Sequence, residues 1–277
     1  MSNIGGVRAV QFDPVHAGHA IEQVVFALRF DGVLEDPSLL SLRSSASHFE
    51  RDLPGEGEIS GISINFGAPL PGGAPLQPGF LRRKGSPTGL IEKELRVERS
   101  SITFITNIYS RWNDIWPEAE RYFSSLAPEY LRAGLKIMGL GLIVVDKFVA
   151  SSGVSNPRPD ALLNRDSNFF ARSVLSAVDL WHNHTGFFEK PDEKTKRLVN
   201  VNIDCVNEKK DGADRRVVII TKIINDAFNQ PGSEPSNFDE DGTMLAISAH
   251  MSSMHKLEKS ILKDIINQEM ATRIALK

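Results

Sequence analysis

The chain has 277 residues, 41% apolar and 24% charged, with a formal net charge of −3. That length buries a sizeable core as one large or two modest domains, and the small net charge excludes a global pull toward nucleic acid or an anionic membrane. The single cysteine, Cys205, excludes an intrachain disulfide and a zinc site built from cysteines. No basic start followed by an apolar core opens the sequence, and no run approaches about 20 apolar residues, so a cytoplasmic protein is expected.

The first element is "EQVVFALRF", whose alternation places Val24, Phe26, Leu28 and Phe30 on the core face of a strand and Val25, Ala27 and Arg29 on the other. Asp36-Pro37 reads as an N-cap and first helical residue, followed by Leu39, Leu42, Ala46 and Phe49 at helical spacing. A strand "SGISINF" then runs into the Pro/Gly-rich loop from Gly67 to Gly79. Strands are expected at about Leu90–Val97 and Ser101–Tyr109, and a helix near Asn113–Ala127 with Pro117 in its first turn. "GLKIMGLGLIVVDKFVA" reads as a strand in its second part, and Ser151 to Asp160 as a linker.

In the second half, after a poorly defined stretch from Ala161 to Asp179, three strands are expected: Trp181–Glu189, Leu198–Asn207 and Arg215–Asn225. A helix from about Thr243, capped by Asp241 or Thr243, closes the chain. Its stripe is Met244, Ile247, Met251, Met254, Ile261 and Ile265, which suits the core and also an adaptable interface. If unbroken, that helix runs about 34 residues, or roughly 50 Å. The expected fold is α+β: two related lobes, 1–150 and 151–277, each a mainly antiparallel βββα-like unit packed with helices.

The candidate sites begin with "LWHNHTGFFEK". In a strand His182 and His184 share a face, where they could meet one metal or one anion, while Trp181 and Asn183 take the other. A metal would need a third ligand, and no His-Glu-x-x-His spacing supplies it. His16 and His19 precede the first strand at a spacing a turn could bring together. His250 and His255 project to opposite edges of the last helix and cannot share a ligand. Asn237, Asp239, Asp241 and Gly242 resemble half a calcium loop, but its twelfth position is Ser248 in place of glutamate. The basic clusters Arg82-Arg83-Lys84 and Lys209, Lys210, Arg215, Arg216 interleave with acids and lack the aromatics of a single-strand binder, which makes nucleic acid an unlikely partner. No phosphate loop and no nucleophile signature occurs. Trp181, His182, His184, Arg29, Arg82 and Lys84 remain as candidate binding residues, with no catalytic residue and no cofactor expected.

Taken in order, "HAIEQVVFALRF", "SITFITNIYSRWNDIWPEAERYF", "LKIMGLGLIVVDKF" and "LWHNHTGFFE" resemble a sporadically distributed bacterial family of conserved hypothetical proteins of about this length. Where that family usually carries an Arg-Tyr-Ile-Asn-like sequence, this chain reads "GLGLIVVDKF". The resemblance implies an accessory gene in a mobile-element, toxin-antitoxin or phage-defence context, and it brings no activity with it. The resulting expectation is a non-enzymatic interaction protein, a homodimer that binds another protein. The alternatives are a metal-dependent hydrolase or nuclease using His182 and His184 with Glu189 or Asp204, and a small-ligand sensor with its cleft between the lobes.

Overall fold

The computed structural model describes residues 11–59, 79–154, 156–210, 212–228 and 240–276. The strands in chain order are β1 (Phe12–Pro14), β2 (Ile21–Phe30), β3 (Gly55–Ile59), β4 (Gly79–Gly85), β5 (Ile91–Glu98), β6 (Ser101–Thr106), β7 (Ile137–Ala150), β8 (Trp181–Glu189), β9 (Lys196–Lys210) and β10 (Ala213–Ala227). The α-helices are α1 (Asp36–Ala46), α2 (Trp112–Arg132), α3 (Glu240–Ile265) and α4 (Gln268–Arg273). All ten strands join one sheet through antiparallel pairs, in the order β3-β4-β5-β6-β2-β7-β10-β9-β8, with β1 on the same edge of β7 as β2. The fold is therefore mixed α+β.

Alternation produces this sheet. In β2 the side chains of Val24, Phe26, Leu28 and Phe30 are buried and their neighbours only half so. Register carries that face across the sheet, because Phe26 stands opposite both Phe104 and Leu142, and Ile224 stands opposite both Leu142 and Val199. Onto it pack Trp116, Ala119, Phe123 and Leu126 of α2 and Ile247, Met251, Ile261 and Ile265 of α3. Met251 and Met254 are wholly buried, so most of the methionine stripe is spent on the core. Trp116 Nε1 donates to Ser248 Oγ at 3.1 Å and ties α2 to α3.

From its centre outward the sheet reads β2-β6-β5-β4 one way and β7-β10-β9-β8 the other. Each half is a strand followed by a three-stranded meander whose last strand returns to pair with the first, and then by a helix, α2 or α3. The boundary expected at 150/151 falls at the end of β7, which pairs with β2 on one side and β10 on the other.

Several expectations are corrected. The basic cluster Arg82-Arg83-Lys84 lies in strand β4, and Gly55–Ile59 forms an edge strand beside it. Glu35, with no side-chain cap bond, is the N-cap of α1, and Asp36 turns to Arg99 instead. α2 continues to Arg132 through Pro117 and Pro128. Pro117 is exposed, so the Asn113 carbonyl deprived of its donor faces water. The stretch expected as a linker is anchored at its ends: Ser151 Oγ donates to Asp13 Oδ2 at 2.7 Å, and Pro159 and Asp160 are buried.

The final helix breaks at Ile266-Asn267. Asn267 caps α4 by accepting from the Met270 N–H at 2.9 Å, while its own N–H donates to the Leu162 carbonyl and its amide to that of Ala161. α3 starts no later than Glu240, so Asp241 and Thr243 lie inside it. "SGISINF", the Pro/Gly loop as far as residue 78 and the acidic start of the calcium-like stretch lie outside the described residues.

A second polar contact holds α3 to the sheet. Buried Arg197 of β9 grips Asp226 of β10 through two bonds of 2.6 and 2.8 Å, and His250 Nδ1 lies 2.9 Å from the same carboxylate. Burial pushes the Asp226 carboxyl up, but Arg197 and His250 outweigh it and hold it below the ordinary range. A lowered folded value means that the stability lent by Asp226 is complete above the ordinary carboxylate range and is lost as pH falls through the folded value. The contribution of Asp226 to the urea midpoint should thus hold from about pH 7 to about pH 5 and be lost as pH falls below about 4, and Asp226→Asn, less stable at neutral pH, should show a flatter acid dependence.

Candidate functional site

β8 is an edge strand. Trp181, Asn183, Thr185 and Phe187 point to the covered face, and His182, His184 and Phe188 are exposed on the other. Asn183 holds the connection before it, donating to the Phe169 carbonyl at 2.9 Å and accepting from the Ala171 N–H at 3.1 Å. His182 Nδ1 contacts Asp204 across the β8–β9 pair, while His184 stands opposite Asn202. Among the described residues no group of three or more His, Cys, Asp or Glu is placed to hold a metal ion.

The other expected residues lie far from this pair. Arg29 projects beside Gly139, where a Cβ would meet its guanidinium at 3.4 Å, and burial alone lowers its pKa. Arg82 is buried on β4, 3.8 Å from Glu56, and Lys84 pairs with Glu92 at 3.2 Å. β4 and β8 sit near opposite ends of the sheet, so the six residues form no common site.

The chemistry converges elsewhere, in a cleft of about 320 Å³ lined by His19, Tyr109, Arg111, Trp112, Asp146, His255, Glu258 and Lys259 together with the end of the chain. β1 and β2 pair with successive parts of β7, and the backbones of Val15 and Ala20 bracket Lys147 between them. The residues His16 to His19 are thereby looped out and closed by their own backbone bonds, which brings the His19 ring to 5.0 Å from Tyr109. Such irregularities re-aim side chains at a sheet's functional points. Arg111 and Trp112 open α2, and α3 contributes His255, Glu258 and Lys259. The Trp112 and His255 rings stack at 3.9 Å, and His255 Nδ1 lies 2.9 Å from Glu258 Oε1.

At the floor, Lys222 of β10 is fully buried between two carboxylates. Its Nζ donates to Glu258 Oε2 at 2.6 Å and pairs with Asp146 Oδ2, also at 2.6 Å. Asp146 Oδ1 has no hydrogen-bond donor among the described residues. Burial pushes the Asp146 carboxyl up against the pull of Lys222, and the Glu258 charge pushes it further. Glu258, also opposed by burial, is held low by Lys222 and His255. Burial and Glu258 push the Tyr109 phenol up to about 12.

These residues were visible in the sequence only as isolated charges. Asp146 in "LIVVDKF" and Lys222 in "VVIITKII" each interrupt an apolar strand run, which signals a buried pair. Their meeting depends on the β7–β10 register, in which Asp146 stands opposite Ile220 and Lys222 opposite Val144. No family model matches the chain, and no curated protein matches it significantly.

Lys222→Met should leave two carboxylates uncompensated in the core and cost about 3–5 kcal/mol in urea unfolding. His182→Ala and His184→Ala, on the exposed face, should each change it by less than about 0.5 kcal/mol.

Proposed function

We propose that the chain is a non-enzymatic interaction protein that self-associates through the open edge of β8. The observation that carries this is the contrast between the two ends of the sheet. β4, the outermost strand of the first meander, is covered by β3, whose described residues include the charged Glu56 and Glu58. β8, its counterpart in the second meander, runs nine residues without lysine or proline. No described residue bonds to its outward backbone groups. A long, flat, sparsely charged edge is a template for strand addition, whereas short or charged edges resist it.

The occupant proposed is a second copy of the chain, pairing antiparallel about Thr185. That register sets His182 against Phe188 of the second copy and His184 against Gly186, and it continues the sheet through both molecules. The arrangement of the halves favours reading them as two related lobes, with strand addition at β8 filling the slot that β3 fills in the first. The exposed imidazoles would then be contacts of this interface rather than metal ligands.

Light scattering on the purified chain should give a dimer, and His184→Lys with Phe188→Lys, exposed substitutions that place like charges along the edge, should give a folded monomer. A monomeric parent, or a dimer indifferent to both lysines, would refute the proposal.

A further inference from the structure

We infer that the cleft over Asp146 binds a small zwitterion of the free amino acid class, its ammonium group on Asp146 and its carboxylate toward Arg111 and Lys259. The inference is independent of the β8 edge.

The floor asks for a cationic donor. Asp146 is 0% exposed, yet its Oδ1 has no donor among the described residues, although buried carboxylate oxygens ordinarily have one. Lys222 pairs with Oδ2 and with Glu258, which leaves Oδ1 as the open acceptor. Glu258 is served by His255 as well as by Lys222, whereas Asp146 has Lys222 alone. An incoming ammonium supplies Asp146 with a second cation and the missing donor together.

The rim asks for the opposite. Arg111 is exposed and Lys259 half-buried, and neither has an ion-pair or hydrogen-bond partner among the described residues. A carboxylate placed between them gains two cations. A bare cation would be repelled at this rim, and a bare anion would meet Asp146 and Glu258 below it. Tyr109, Trp112 and His255 also line the cleft, Trp112 and His255 stacked on one another, and give it an aromatic wall for the carbon chain next to the ammonium. The volume of about 320 Å³ is at the lower end of the roughly 300–1,000 Å³ typical of ligand sites, which suits a ligand of this size.

The test is thermal shift followed by calorimetry on the full chain with the proteinogenic amino acids, using methylamine, acetate and inorganic phosphate as single-charge controls. At least one amino acid should raise the melting temperature and bind saturably, and the controls should do neither at the same concentration. Asp146→Asn should weaken that binding by about ten- to a hundredfold, the loss of a charge-assisted hydrogen bond. Arg111→Ala, exposed and outside the core, should weaken it by about tenfold with no change in the melting temperature of the free protein. Lys259→Ala gives the same readout if the Asp146 variant is poorly folded. No amino acid binding, controls that bind as well as any amino acid, or affinity unmoved by the rim substitutions would overturn the inference.

Discussion

A lysine ammonium enclosed in an apolar core must be neutralised where it stands, and this need governs the arrangement around Lys222. Its two carboxylates come from different elements, Asp146 from β7 and Glu258 from α3, so the charge can be satisfied only when helix and sheet are docked. The docked helix brings His255 onto Trp112, and Trp112 belongs to the first turn of α2. One buried charge thus positions both helices and the walls of the cleft. The Lys222 ammonium has three donors and reaches both carboxylates, and Asp146 Oδ1, on the cleft side, is left without one among the described residues.

The sheet makes a similar point about edges. Its halves follow one connection rule, a strand and then a meander that returns to it, and they meet at β2 and β7. The first half has α1 and β3 inserted between its first strand and its meander, and β3 covers the outer strand. In the second half the corresponding stretch runs through Leu162, Leu163 and Val174, which are buried in the core, and its described residues supply no strand. An unpaired edge follows from what the connection does, and that edge carries neither the lysine nor the proline that commonly blocks pairing.

The apolar strands and the helical stripes were legible because alternation and helical spacing are local. β2, β8 and the face assignments of Trp181, His182 and His184 follow from residues i and i+2 alone. β3 and β4 were not legible: "GEGEI" and "GFLRRKG" have little apolar alternation, and their pairing rests on ladder bonds and on Phe80 packing into the core. The break at Asn267 was hidden because a single asparagine is compatible with a continuing helix, and its stop signal is the distant Ala161–Leu162 backbone. The cleft was the least legible feature. It joins a loop near residue 19, the start of α2, β7, α3 and residues 274–276, and only His255 and Glu258 among its polar residues are partners at helical spacing. The spacing of His16 and His19 does correspond to a turn that brings their rings to 4.6 Å, but the neighbour that ties His19 to the cleft, Tyr109 at 5.0 Å, is 90 residues away.

α3 shows why charges are used where hydrocarbon would serve for stability alone. Its buried face includes Met251 and Met254, unbranched side chains that fit many surfaces and therefore specify sliding and rotation poorly. Polar contacts supply the missing specification, because a carboxylate displaced by one turn leaves both itself and its cation unpaired in the core. Glu258 reads the position of Lys222 on β10, and His250 and Ser253 read Asp226 and Arg197 on β10 and β9. Two contacts at separate points along one helix fix translation and rotation together. The helix that carries both is also the one that presents His255, Glu258 and Lys259 to the cleft, so the site's geometry is determined by the same contacts that set the helix in register.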